Sequence, residues 1–176
     1  MKRTTVMPCE SEEHLEQYLT FVCRFRSELL SSMYPTETAK YFLRMIGQQF
    51  RDGTAYVCFD DNGTVAGAFT LVFDAEAATA TIYTALLRED FRNNVGFVIG
   101  MIGIADAVEG SGIPVRELYF TADRKNVYVQ RIYRKFAQPY EELSNELLQG
   151  YHVRFDDYKR FAERFEKVAR RNMGSR

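Results

Sequence analysis

Asn126-Val127-Tyr128-Val129-Gln130-Arg131-Ile132-Tyr133-Arg134-Lys135-Phe136 is the stretch on which the reading of this chain turns. Its apolar residues recur at helical spacing, so a short amphipathic helix is expected over 125–136. At about 3.6 residues per turn, Asn126 at its start and Tyr133 two turns later fall on nearly the same face.

Outward from this helix the chain alternates between strand and helix signals. Residues 54–59, 64–73 and 79–87 are rich in β-branched and aromatic residues and bounded by turn chemistry, which reads as an antiparallel meander. Asp60-Asp61-Asn62-Gly63 supplies its first hairpin turn. Residues 96–109 are apolar nearly all round (Phe97, Val98, Ile99, Met101, Ile102, Ile104), as expected for a helix buried deeply against a sheet. Gly110-Ser111-Gly112 ends it. A strand follows over 115–120, then the Asn126 helix, a weaker strand over 146–153 and a closing amphipathic helix over 156–171. Ahead of the meander, residues 2–7 suggest a short strand. Ser11 is placed to cap a helix carrying Leu15, Tyr18, Leu19, Val22 and Leu29, residues 31–35 break it, and Thr36 opens a second helix that ends near Gly53.

The spacing of Asn126 and Tyr133 resembles the N-x-x-A-x-x-x-Y segment of the GCN5-related N-acetyltransferase (GNAT) superfamily, with Val129 standing where that family usually has Ala. The element order matches the same family, and the resemblance is closest over 54–138. It implies an α+β fold: a mixed, mainly antiparallel central sheet with helices on both faces and a splay between its two central strands. It further implies that acetyl-CoA, or another acyl-CoA, lays its pantetheine arm into the splay as an added strand. Leu86, Leu87 and the loop Arg92, Asn93, Asn94, Val95, Gly96 and Phe97 would hold the coenzyme, with help from Asn126, and Tyr133 would protonate the departing thiolate. The family's loop reads Q/R-x-x-G-x-G/A. With Arg92 as its first position Val95 and Phe97 replace both small residues; with Asn93, Gly96 fits and Val98 does not.

A pyrophosphate at a helix start is held by unpaired backbone N–H groups and the positive end of the dipole, which any residue but Pro supplies. Bulk at Val95 or Phe97 is the obstacle. Gly100 and Gly103 read better as a close-packing face. Family members often carry a Glu on the strand before the loop as general base; here that strand has no carboxylate, and Glu76, Glu89 and Asp90 flank it in turns. Thr81 or Tyr83 could instead orient a water. Tyr133 has the alternative role of anchoring its helix to the core. The cations Arg124, Lys125, Arg131, Arg134 and Lys135 form either a solvated face or a site for the coenzyme's 3′-phosphate. Phe21, Phe25, Met33 and Tyr34 serve either the core or an apolar acceptor pocket.

Composition narrows the field. A chain of 176 residues with no Ser/Gly/Pro linker reads as one domain over 1–176. A net charge of −1 argues against general nucleic-acid binding. Cys9, Cys23 and Cys58 lack metal-ligand spacing and make an odd set for a disulfide framework, which fits a reducing cytoplasm and requires no metal. Neither a secretory leader nor a membrane span is expected. The expected activity is acyl transfer to a small-molecule or peptide amine, with a homodimer possible through the closing helix. The alternatives are a non-catalytic binding or regulatory module of the same fold, or a coenzyme A thioester enzyme of different chemistry.

Overall fold

In a computed structural model of the chain, the described residues are 4–25, 39–92 and 94–174; at 39–41, 94, 95 and 168–174 only the backbone is described. Strand β1 (Thr5–Pro8) leads into helix α1 (Glu12–Arg24), and α2 (Ala39–Asp52) precedes the meander β2 (Thr54–Phe59), β3 (Val65–Asp74) and β4 (Thr79–Leu87). A 3₁₀ turn (Glu89–Phe91) joins β4 to α3 (Asn94–Gly110). There follow β5 (Glu117–Asp123), α4 (Val127–Tyr133), a two-residue β6 (Gln138–Pro139), a second 3₁₀ turn (Glu141–Leu143), β7 (Leu148–Arg154) and α5 (Phe155–Gly174). The seven strands form one sheet in the order β1-β2-β3-β4-β5-β7-β6. Only the β4–β5 pair is parallel.

Local chemistry explains the ends of these elements. Ser11 caps α1, its hydroxyl accepting the His14 N–H at 3.1 Å. The β2–β3 hairpin closes on Asp60, whose Oδ1 accepts the N–H groups of Asn62 and Thr64, with Gly63 at φ 72°. Arg88 locks this hairpin to the end of β4 through Asp60 and Asp90, each at 2.7 Å. Gly112, at φ 70°, follows the last turn of α3.

The sheet divides two cores. On one face Phe69, Leu71, Ile82, Leu118, Phe120 and Tyr151 pack with α3 and α5. On the other, Ala55 and Ala68 meet Tyr18, Phe21, Val22 and Phe25 of the first helical region and Phe42 and Ile46 of α2. The strand alternation of β5 sends Leu118, Phe120 and Ala122 inward to the first core and turns Glu117, Tyr119, Thr121 and Asp123 to the opposite face.

The α+β sandwich agrees with expectation, with local corrections. β5 runs to Asp123 rather than ending at 120, because antiparallel pairing with β7 carries on to Asp123 opposite Leu148. Its partner accordingly begins at Leu148, not 146. The Asn126 helix is shorter than 125–136, closing at Tyr133 into a turn. β6 has no sequence signature; two residues, one of them Pro, form a strand only because β7 presents an edge to them. Gly103 does allow close packing, since a Cβ there would lie 2.7 Å from Val6 of β1, but at Gly100 the nearest atoms would be Leu87 methyls at 3.8 Å, an ordinary contact. The expected strand start at 2–3, Leu29, the break at 31–35, Met33, Tyr34, the helix start at Thr36 and the terminal Ser175-Arg176 lie outside the described residues. No helix among the described residues is long and apolar enough to cross a membrane.

Burial makes the fold sensitive to alkali. It pushes the Tyr18 phenol and the Cys58 thiol each up to about 12. Both groups therefore lose their protons at lower pH in the unfolded chain than in the folded one, so their contribution is complete below their unfolded values and disappears as pH rises towards 12. Urea unfolding at pH 11 is expected to give a stability lower than that at pH 8 by at least the roughly 3–4 kcal/mol that these two groups supply. Equal stabilities would show that neither group is sealed as described.

Candidate active site at the strand splay

β4 and β5 begin side by side and then part. They pair at Thr79/Glu117, Ala80/Leu118, Thr81/Tyr119 and Ile82/Phe120, and no further. The cause lies in β4: Thr70 pairs with Thr84 but Leu71 with Ile82, so Tyr83 is an extra residue, a bulge that bends the strand away. Beyond it, Thr84, Ala85, Leu86 and Leu87 turn an edge not paired to β5 towards a cavity of about 440 Å³. That volume lies in the usual range for small-molecule sites. Phe97, Gly100, Met101 and Ile104 of α3, Phe120 of β5 and Phe136 form apolar walls.

The short helix α4 and its cap bring Asn126, Tyr128 and Tyr133 to this cavity. Asn126 caps α4, its Oδ1 accepting the Val129 N–H at 3.1 Å, and both residues line the cavity. Gln130 pins the helix: its side-chain amide donates to the Asp123 carbonyl at 2.9 Å, and its Oε1 accepts the Tyr151 hydroxyl. Tyr133 is thereby held at the cavity wall, its ring 4.8 Å from Phe120, 5.5 Å from Tyr151 and 6.0 Å from Phe97. Its hydroxyl makes no hydrogen bond among the described residues. Burial pushes this phenol up to about 12, with Tyr151 adding to the rise.

The other expected site residues divide. Leu86, Leu87, Arg92 and Phe97 line the cavity with Asn126 and Tyr133. Arg92 is tied back, its Nε donating to the Leu87 carbonyl at 2.7 Å while its guanidinium lies 4.9 Å over the Phe25 ring. Phe97 packs into the apolar wall. Asn93 lies outside the described residues, as do the side chains of Asn94 and Val95. Gly96 is buried at the first turn of α3, where a Cβ would sit 1.7 Å from the Phe91 carbonyl oxygen. Its smallness thus admits the preceding 3₁₀ turn. Of the cations, Arg124 is engaged by the Asn145 carbonyl and Gln149 Oε1, and Lys135 lies over Phe165. Phe21 and Phe25 belong to the core; neither lines the cavity.

The sequence reading missed several residues of the site. Tyr158 enters the cavity from α5 and Leu148 from β7, and nothing local marks either one. Thr84 lines it too, its hydroxyl donating at 2.9 Å to Gln49 of α2, while Tyr18 and Thr70 share a hydrogen bond of 2.7 Å on the same side of the sheet. No group of three or more potential metal ligands occurs among the described residues.

No family model matches the chain, and no curated protein does. Solved structures match over most of its length. Apo FdhC, a nucleotide-linked sugar GNAT, is 16% identical, with 93% of each chain covered and a TM-score of 0.64. Spermidine N-acetyltransferase from Vibrio cholerae, in complex with CoA and spermine, is 13% identical over 89% of this chain and 98% of that one, at a TM-score of 0.64. An acetyltransferase of the GNAT family from Staphylococcus aureus is 10% identical over 86% and 99%, at 0.61. This chain has the GNAT fold. In a GNAT sheet of this kind, the parted strands β4 and β5 and the helix carrying Asn126 and Tyr133 occupy one continuous cleft.

Proposed function

We propose that the chain is an acyl-CoA-dependent acyltransferase, most simply moving an acetyl group from acetyl-CoA to an amine by direct attack. The observation that carries this reading is the convergence of Asn126 and Tyr133 on a cavity bounded by the open edge of β4. The residues present fit the coenzyme: an edge strand offers backbone N–H and C=O groups to an extended pantetheine arm, and the apolar walls suit its alkyl segments. The start of α3, with Arg92 beside it, offers N–H donors and a cation to the diphosphate.

Bound there, the coenzyme supplies an activated acyl carbonyl and a thiolate leaving group. Asn126 contributes its amide nitrogen, which makes no hydrogen bond among the described residues. Tyr133 gives a phenolic proton to the departing sulfur. The cavity walls keep bulk water from the thioester. The amine class of acceptor draws on the likeness to the Vibrio cholerae spermidine N-acetyltransferase.

Calorimetric titration with acetyl-CoA tests the reading without knowledge of the acceptor. One-to-one binding at micromolar affinity is expected. No heat from folded protein at two temperatures and two salt concentrations would overturn it in favour of a non-catalytic module of this fold.

A further inference from the structure

The proton of the attacking amine needs an acceptor, and β4 carries no carboxylate over Thr79–Leu87. Tyr133 sits on the face of the sheet that packs with α3 and α5, against Phe120. The nucleophile therefore has the opposite face to approach from, where β5 displays Glu117, Tyr119 and Thr121 and where Thr121 reaches the cavity. The histidine on that face belongs to β7. His152 is paired to Tyr119, which is itself paired to Thr81, one rung before the strands part at Ile82/Phe120. It thus stands one strand, about 4.8 Å, to the side of β5 and two rungs, about 6.6 Å, short of Thr121, the first β5 residue past the pairing, and it does not itself line the cavity.

The surroundings of His152 orient it. Its Nδ1 lies 3.6 Å from Glu117 Oε2, which also accepts the Tyr119 hydroxyl at 2.9 Å. Tyr119 stacks on the imidazole at 6.0 Å between centroids and Tyr140 lies against it at 5.5 Å. Nε2 makes no hydrogen bond among the described residues. The imidazole is 30% exposed, so a solute can reach it. Further ionisable groups lie on this face: Asp123 of β5, which lines the cavity and whose Oδ1 accepts the Lys125 N–H at 2.7 Å, Arg154 on β7, Tyr140 beyond β6, and Glu142 of the second 3₁₀ turn, which accepts the Tyr140 hydroxyl at 2.5 Å. A carboxylate fixing one imidazole nitrogen while the other stays open is the arrangement of an oriented base.

We propose that His152 is the general base for the acceptor amine and that Glu117 is its positioning residue, an inference that rests on the acyltransferase reading above. Nε2 takes one proton from the amine nitrogen as the N–C bond to the acyl carbon forms. The C–S bond breaks with its electron pair on sulfur, which takes the Tyr133 proton. Imidazolium and phenolate return to their starting forms by exchanging one proton through water. Acid and base then act from opposite faces of one sheet, with the thioester in the gap between them.

The test is thiol release from acetyl-CoA by the full chain, with benzylamine, spermidine or glucosamine as acceptor, across pH 5 to 9. His152→Gln is expected to lower kcat/KM by about 100-fold or more, to abolish the limb that rises with pH in the wild type, and to leave acetyl-CoA affinity unchanged. Glu117→Gln keeps the limb but lowers the plateau. His14→Gln, which removes the other of the two histidines, changes neither. A His152→Gln protein with wild-type turnover and pH profile overturns the base assignment and leaves the transferase reading standing. A wild-type protein that binds acetyl-CoA yet releases no thiol with any of the three amines overturns both.

Discussion

Tyr133→Phe is expected to keep the fold and the acetyl-CoA affinity while lowering kcat by about 10²- to 10⁴-fold, the usual contribution of a positioned acid. The ring is what the fold uses. Phe120, Tyr151, Phe97 and Phe136 all contact it, and every one of those contacts survives loss of the oxygen. The hydroxyl holds no partner among the described residues, so its removal strands nothing and costs little stability.

The phenol, pushed up to about 12 by burial, stays protonated throughout the neutral range. Being raised, it loses its proton only at alkaline pH, so the acid limb of kcat is expected to fall above about pH 11 and not near 8. The shift also constrains the mechanism. An ordinary thiol titrates near 8.5, so complete transfer from a phenol at about 12 to a free thiolate is uphill by roughly 5 kcal/mol. The O–H hydrogen-bonds to sulfur as charge develops there during C–S cleavage. Rate measurements at saturating acetyl-CoA check this; full turnover in the variant would reduce Tyr133 to an anchor of α4.

Gly96→Ala is expected to cost about 2–4 kcal/mol of stability and to weaken acetyl-CoA binding more than 10-fold. A Cβ at this position would meet the Phe91 carbonyl oxygen at 1.7 Å and its carbon at 2.6 Å. These are backbone atoms, so no rotamer change relieves the clash; either the 3₁₀ turn or the first turn of α3 must move. Both carry the proposed diphosphate site, which is why affinity and stability fall together. Gly47→Ala in α2 is the control: nothing lies within 4 Å of its Cβ, and the change should stabilise by about 0.5–1 kcal/mol through helix propensity. Urea midpoints and calorimetry on both variants provide the comparison. Wild-type stability in Gly96→Ala would mean that the loop takes another path.

The two glycines show where sequence reading stops. Gly96 stands out in the sequence as a residue of the loop, and the resemblance gives it a ligand-facing reason for being small. The fold supplies a different reason, the carbonyl of Phe91 behind it. Gly100 and Gly103 look alike in sequence, yet Gly103 is pressed against Val6 and Gly100 opens onto the cavity. The difference depends on β1, about a hundred residues away in the chain, and periodicity carries no information about such a neighbour.

His152 illustrates the same limit beside the cavity. Its strand was expected, but a histidine in a strand of unknown partner has no chemistry to its name. Only the β5–β7 register sets it beside Glu117 and Tyr119. Likewise, the absence of a carboxylate on β4 was visible at once, and what the fold places near the splay instead was not.

The sequence by itself determined the helices and longer strands and their order, because strand alternation, helical periodicity and capping are encoded within a dozen residues. Asn126 and Tyr133 were legible through the resemblance that their spacing carries, and both line the cavity. The tertiary structure alone decided where β4 and β5 part, that α5 and β7 contribute Tyr158 and Leu148 to the cleft, and that β6 exists at all. Those features arise from the pairing register and packing of distant segments. One bulge at Tyr83 opens the site, and a bulge belongs to a pair of strands rather than to either one.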